Sequence, residues 1–177
     1  HQINCAVVSE LAVAEHRRAL HVAPLFRDKL VWAVPASVPE AVVAETLATR
    51  TLSDPRHAAL ARYVESGASV PWRGLAGGWY RTRLPFATPF FGAPDPQAAV
   101  ELVAAGLATS HMIVSQLPNL PRELRGRLRL YDINESETPV VFAMPRHLLT
   151  LRPFAQFRDD LCAHVARVFR PAMFSGP

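Results

Sequence analysis

The stretch that decides the fold runs from Thr88 to Pro118 and reads TPFFGAPDPQAAVELVAAGLATSHMIVSQLP. It predicts a strand, a helix and a second strand. Asp95 suits the N-cap of the helix, Pro96 suits its first position, and Gly106 suits the left-handed position past its end. A helix that begins at a strand tip points free backbone N–H groups beyond the sheet edge. In open α/β sheets, ligands bind in the crevice at that edge.

The rest of the chain shows the same alternation of strands and helices. Apolar runs predict strands at residues 3–8, 30–34, 86–91, 112–114, 128–133 and 138–144. Helices are predicted to run from residues 37–40 to about 49, over 55–67, over 96–105 and after Pro153, with helix or irregular structure over 71–83. On the last helix, one buried stripe is expected from Phe154, Phe157, Leu161, Val165 and Val168. This alternation predicts an α/β fold with a mixed sheet.

The composition narrows the class of function. Half of the 177 residues are hydrophobic and 19% are charged, which indicates a folded domain. No apolar run reaches the roughly 20 residues of a membrane helix, and no secretory leader is seen. The formal net charge of +4 comes from scattered arginines, so we do not expect this segment to read DNA directly. Cys5 and Cys162 have no metal-binding spacing and are expected to be free thiols in a reducing compartment.

Motifs for catalysis and metal binding are missing from the sequence. It holds no GxSxG elbow, HExxH, P-loop or GxGxxG. Ser110 and His111 are sequence neighbours at the start of a predicted strand, on which adjacent side chains point to opposite faces and cannot pair as nucleophile and base. His16 and His21 are too weak a pattern for a metal site. We therefore expect no catalytic residue, no metal and no cofactor.

Four short blocks of the sequence resemble, in order, the effector-binding domain of LysR-type transcriptional regulators. The blocks are CAVV at 5–8, APLFRDKLVWAVP at 23–35, VAAGLA at 103–108 with LP at 117–118, and VVFAMPRH at 140–147 followed by Leu151 and the last helix. Each block is short, and their common order and spacing carry the resemblance.

The resemblance implies the two-lobed fold of type 2 periplasmic binding proteins. Residues 1–34 and 140–177 would form part of lobe I, and residues 35–139 would form lobe II. The family's opening strand–helix–strand–helix and its winged helix-turn-helix have no counterpart here, so lobe I is expected to be incomplete. The helical stretch predicted at 40–67 is longer than the usual connection.

The resemblance also implies a function. The chain is expected to bind a small polar or anionic effector between its two lobes. DNA would be bound only through the missing domain, in a cytoplasmic homodimer or tetramer that makes no membrane contact. A solute-binding protein of the same fold serving transport is the alternative, and a small-molecule enzyme on this fold is a third hypothesis.

The candidate effector-binding residues lie at two places. Most of them surround the predicted sheet edge, and these are Phe91, Gly92, Pro94, Asp95, Ser110 and His111. The remaining one, Ser9, follows the first strand, at a tip that faces the cleft in the resembling domains. Phe91 would offer an apolar platform, and Ser110 or His111 a directed hydrogen bond. A purely structural explanation stays open, in which Asp95 only caps the helix and the serines only shape strand ends.

Overall fold

The computed structural model describes residues 4–66, 70–133 and 137–169. The strands are β1 (Ala6–Ser9), β2 (Leu20–Asp28), β3 (Leu30–Pro35), β4 (Arg62–Ser66), β5 (Thr88–Ala93), β6 (Ser110–Ile113), β7 (Leu128–Asp132) and β8 (Thr138–Pro145). The helices are α1 (Glu10–Val13), α2 (Glu40–Thr49), α3 (Val70–Arg83), α4 (Pro96–Ala104), α5 (Arg122–Arg125) and α6 (Arg152–His164). Within these ranges, no helix is long and apolar enough to cross a membrane.

The chain divides into two compact units, with one sheet in the first and two in the second. One unit holds His1–Lys29 and Ser136–Pro177, and the other holds Leu30–Glu135. In the first unit β8 is the central strand, antiparallel to β1 on one side and β2 on the other. Phe142 and Met144 of β8 are buried on one face of this sheet, where they pack in the same cluster as Val165.

Helix α6 buries its apolar stripe less completely than the sequence predicts. Phe154 and Leu161 are half-buried against the β8 cluster, and Val165, just past the helix, is buried. The prediction that Phe157 belongs to the buried stripe is wrong, because its side chain is 49% exposed. A spacing of three residues turns Phe157 about 60° away from Phe154, which places it on the flank of the stripe. The side chain of Val168 lies outside the described residues.

The second unit contains a three-stranded sheet, in the order β6-β3-β7, and a two-stranded sheet, β4-β5, with one bridge between them. Strand β3 lies between β6 and β7 and is antiparallel to both. Strand β4 is parallel to β5, and a parallel bridge between Tyr63 and Thr109 joins β4 to the start of β6. The strands β4, β5 and β6 therefore run in one direction, and their carboxyl ends lie at one edge of the sheet.

Strand β4 corrects the helix that the sequence predicts over residues 55–67. Asp54 caps only a short 3-10 segment, Pro55–Ala61, by accepting the Arg56 amide at 2.9 Å. The chain then extends, and its side chains alternate between the two faces of the sheet. Tyr63 stacks on Tyr80 of α3 at 4.1 Å between ring centroids, whereas Val64 packs in the cluster under α4. A short apolar run does not by itself distinguish a strand from a buried helix.

Apolar clusters cover both faces of the β3 region. On one face Trp32 packs with Leu60 and with the α3 residues Trp79 and Tyr80. On the other face Val31 and Ala33 pack with α4. All six residues of β3 are buried, which is typical of a central strand covered on both faces.

Candidate functional site

Helix α4 begins as the sequence predicts, just beyond the carboxyl end of β5. The Asp95 carboxylate accepts the amide of Ala98 at 2.9 Å and so caps the helix. Pro96 has no amide hydrogen, and the amide of Gln97 has no partner within the described residues. At the other end Gly106 takes the predicted left-handed conformation, with a φ of 79°. The start of α4 therefore keeps one free first-turn donor beside a carboxylate.

Replacing Asp95 with alanine is expected to lower the free energy of unfolding by about 1 kcal/mol, since the Ala98 amide loses its acceptor. Asp95→Asn keeps an acceptor at the same place and serves as the matched control, with a change of a few tenths of a kcal/mol. Urea unfolding of the three proteins measures the difference. Equal losses for the two variants would contradict the capping role.

A cavity of about 260 Å³ lies beside the start of α4. Its lining comes from α4, from β6 and from the 3-10 segment Val114–Asn119 that follows β6. The lining residues are Asp95, Pro96, Gln97, Val100, Met112, Gln116, Asn119 and Leu120. Parts of this lining follow the carboxyl ends of β5 and β6, the edge at which open α/β sheets bind ligands. At about 30 Å³ per water, the volume suits a small organic molecule.

The cavity combines an apolar wall with polar groups. Val100, Met112 and Leu120 form the wall and belong to the cluster that packs under α4. The side-chain oxygen of Gln116 is buried and has no hydrogen-bond partner within the described residues. Gln97 and Asn119 add two further carboxamides, of which Gln97 also donates to Glu101 on the next turn at 3.5 Å. A few polar groups converging on an apolar pocket are typical of small-molecule sites.

Asp95 is the one predicted site residue that contributes to the described lining of this cavity. Phe91 is half-buried and packs in the cluster of Val64 and the small residues of α4. Gly92 and Pro94, in the segment that leads to Asp95, are exposed. The structure thus places the predicted platform, Phe91, under the helix.

Ser110 and His111 are buried at the start of β6, with 1% and 8% of their surfaces exposed. Tyr63 of β4 pairs with Pro89 of β5 on one side and bridges to Thr109 on the other. Phe91 on β5 and Ser110 on β6 therefore lie at a similar height along their strands, with β4 between them. Two strand spacings correspond to about 10 Å. Hence the structure does not bring these two residues together.

The side chains of Ser110 and His111 point to opposite faces, as predicted. His111 pairs with Trp32 and Ser110 pairs with Ala33. Trp32 and Ala33 belong to the clusters on opposite faces of the sheet. Residues that pair directly across strands share a face, so the serine hydroxyl and the imidazole are separated by the sheet.

His111 lies in an aromatic cluster on the α3 face. Its ring meets those of Trp79 and Tyr80 edge-on, at 4.8 and 4.7 Å between centroids. Neither ring nitrogen has a hydrogen-bond partner within the described residues. Burial lowers the pKa of His111 to about 3, so the imidazole is neutral near pH 7. Beside it, burial raises the pKa of Tyr80, whose hydroxyl shares a 2.9 Å hydrogen bond with Thr109.

Ser9, in the first unit, ends β1 opposite Val140 of β8. Its hydroxyl is buried, has no partner within the described residues and does not cap α1. Cys5 and Cys162 are both free thiols, half-buried against the β8 cluster. Over the described ranges, no three His, Cys, Asp or Glu side chains are grouped so that they could hold a metal ion.

The three carboxamide residues of the lining, Gln97, Gln116 and Asn119, were not among the predicted site residues. Gln97 lies two residues after the predicted cap, Asp95. Its position in the first turn of the predicted helix could have identified it as a site residue. Gln116 and Asn119 come after a predicted strand in an ordinary proline-containing loop. Only the return of this loop towards α4 gives them a role.

No protein-family model matches the chain, and a search of curated proteins finds no match. Several solved structures are similar to it. The CcmR regulatory domain of Synechocystis, in complex with 2-PG, has a TM-score of 0.66 at 16% identity, covering 94% of this chain and 76% of that chain. The effector-binding domain of QuiR, in complex with shikimate, has a TM-score of 0.56 at 16% identity, covering 90% and 70%. The regulatory domain of CrgA, a LysR-type regulator from Neisseria meningitidis, gives 0.59 at 14% identity, covering 92% and 75%.

These likenesses confirm the fold implied by the sequence resemblance. The chain has the α/β fold of LysR-type effector-binding domains, which is the type 2 periplasmic-binding-protein fold, with mixed sheets. It covers about three quarters of the CcmR domain. Identities near 15% show the fold and leave the ligand and the site to be argued from this chain's own residues.

Proposed function

We propose that this chain is the ligand-sensing regulatory domain of a LysR-type transcription factor and has no catalytic activity. The observation that carries the proposal is the cavity beside α4, within a fold shared with regulatory domains. Two of those domains are described as complexes with small molecules, shikimate and 2-PG. The cavity in this chain has the size and the mixture of polar and apolar groups that are typical of small-molecule sites.

The cavity offers a physical route from binding to a response. A ligand that contacts Met112 and Gln116 acts on the carboxyl end of β6. There Ile113 pairs with Leu30, the residue at which the chain enters the second unit. A ligand shifts a conformational equilibrium only if it binds one state better than another. A ligand that contacts Gln116 favours the state in which the segment after β6 packs against it, and this preference is the differential contact.

The proposal gives each sequence-predicted residue a role. Asp95 contacts the effector, while Phe91, Gly92 and Pro94 hold the strand and turn that lead to it. Ser110 and His111 support β6 from within the sheet, and Ser9 remains a prediction for the first unit. DNA binding belongs to another part of a longer cytoplasmic protein, which acts as a homodimer or tetramer.

The same geometry supports the non-enzymatic part of the proposal. Nucleophilic catalysis needs a nucleophile and a base within hydrogen-bond reach of each other. The serine and histidine that are adjacent in sequence, Ser110 and His111, lie on opposite faces of β6. A sensor binds its ligand reversibly and returns it unchanged.

Equilibrium dialysis against a bacterial small-molecule extract tests this function. We expect mass spectrometry to find one small compound enriched on the protein side, up to an equimolar amount and chemically unchanged. The heat-denatured protein is the control. Chemical conversion of the compound would indicate an enzyme, and enrichment no greater than that of the control would contradict ligand sensing.

A further inference from the structure

The charge on the cavity lining separates the possible ligands by class. Among its described lining residues the carboxylate of Asp95 is the only formally charged group. The helix start beside it carries a partial positive charge of roughly half an elementary charge, which offsets much of the carboxylate. The arginines at the ends of α5, Arg122 and Arg125, follow Leu120 closely in sequence but are exposed and outside the lining. A ligand carboxylate or phosphate would therefore find no cation in the lining.

We propose that this cavity takes an uncharged, hydroxyl-bearing small molecule and discriminates against anions. The inference rests on the proposed function and deepens it by naming the ligand class. It favours the polar over the anionic effector of the sequence-based expectation. The hydrogen-bonding groups and the apolar wall of the cavity each support this class.

The hydrogen-bonding groups match a hydroxyl better than a carboxylate. Gln116 lines the cavity, and its buried side-chain oxygen is an acceptor without a partner among the described residues, so a ligand hydroxyl that reaches it would supply the missing donor. The free amide of Gln97 is a donor, and the Asn119 carboxamide offers both kinds of group. A hydroxyl donates and accepts at once, whereas a carboxylate only accepts. A ligand carboxylate has no hydrogen to donate to Gln116, and in this cavity it would face the carboxylate of Asp95.

The apolar wall defines the rest of the ligand. Val100 and Met112 are almost completely buried, and Leu120 is buried beside them. Their contact surface suits carbon atoms, so a ring with hydroxyl groups on one side fits better than a fully polar chain. A hydroxylated ring directs its carbon face to this wall and its oxygens to the carboxamides.

Shikimate and its methyl ester are matched probes for this inference. They share one ring and its hydroxyl groups and differ in the negative charge. Each is titrated into the ¹⁵N-labelled chain, and the side-chain amide signals of Gln97, Gln116 and Asn119 are followed by NMR. We expect the ester to shift these signals with a Kd at least about tenfold lower than that of shikimate.

Three variants test which side chains cause the difference in Kd between shikimate and its methyl ester. Asp95→Asn keeps the helix cap without the charge, so the Kd for shikimate should approach that for the ester. Gln116→Leu removes the buried acceptor and should weaken ester binding by about tenfold, the worth of roughly one hydrogen bond. Glu123→Gln removes an exposed carboxylate outside the lining and should change neither Kd. Unchanged thermal unfolding midpoints show that the variants are folded.

Two results would overturn the inference. One is binding of shikimate as tight as that of the ester, which rejects the ligand class but keeps a ligand in the cavity. The other is the absence of any shift with either probe at millimolar concentration. Dialysis against the extract decides the proposed function separately, because it makes no assumption about charge.

Discussion

Replacing Trp32 with alanine is expected to lower the free energy of unfolding by about 3–5 kcal/mol. Trp32 is completely buried on β3, the middle strand of the sheet β6-β3-β7. Its ring lies 5.0 Å from that of Trp79 and 5.7 Å from that of Tyr131, between ring centroids. Removing the indole leaves a cavity that strands held on both sides cannot close. Urea unfolding followed by circular dichroism measures the loss.

A matched control separates burial from aromatic character. Phe90 is an aromatic residue of the same unit, but its side chain is 57% exposed and lies under Arg62 at 4.6 Å. Phe90→Ala should therefore cost less than about 1 kcal/mol. If Trp32→Ala cost no more than Phe90→Ala, the placement of β3 at the centre of the core would be wrong.

Stability is also expected to fall as the pH is lowered from 6.5, because of His111. Burial holds the folded-state pKa of His111 at about 3, against 6.5 for the ordinary side chain. Between these values the unfolded chain binds a proton that the folded chain does not bind, so acid favours unfolding. The contribution of His111 is therefore complete above pH 6.5 and declines by about 1 kcal/mol for each pH unit below it.

His111→Phe is the variant that tests this dependence, since phenylalanine suits the aromatic surroundings and does not titrate. Urea unfolding between pH 6.5 and 4 should show a much flatter curve for the variant than for the wild type. This window lies above the titration of Asp54, whose pKa the Arg56 side chain lowers to about 2. Burial also lowers the pKa of His21. This residue is present in both proteins, so it does not contribute to the difference between their curves. Parallel curves for the two proteins would show that His111 is not the cause.

The sequence predicted the elements that local chemistry determines. Asp95 and Gly106 mark the two ends of α4, and the structure places the helix between them. Strand β4 was predicted as a helix because its identity depends on partners. It pairs with β5 and with Thr109, which are distant in sequence. Local patterns do not contain such pairings.

The candidate site shows the same division. The sequence placed the start of the second strand at Met112, so Ser110 and His111 were predicted to lie at the corner before it. The strand begins two residues earlier, at Ser110, and both residues fall inside the sheet. Gln116 gains its role from the packing of the following loop against α4, which is a tertiary contact. Fine placement at strand ends therefore decides which residues reach a ligand.

The most direct test of the central claim is the affinity of the compound retained in dialysis for two tryptophan variants. Gln97→Trp fills the mouth of the cavity from an exposed position of α4, and Ala105→Trp adds the same side chain at the exposed far end of that helix. Isothermal titration calorimetry should show binding weakened by at least about tenfold in Gln97→Trp and unchanged in Ala105→Trp. Wild-type affinity in Gln97→Trp would contradict the account, because the effector would then bind elsewhere.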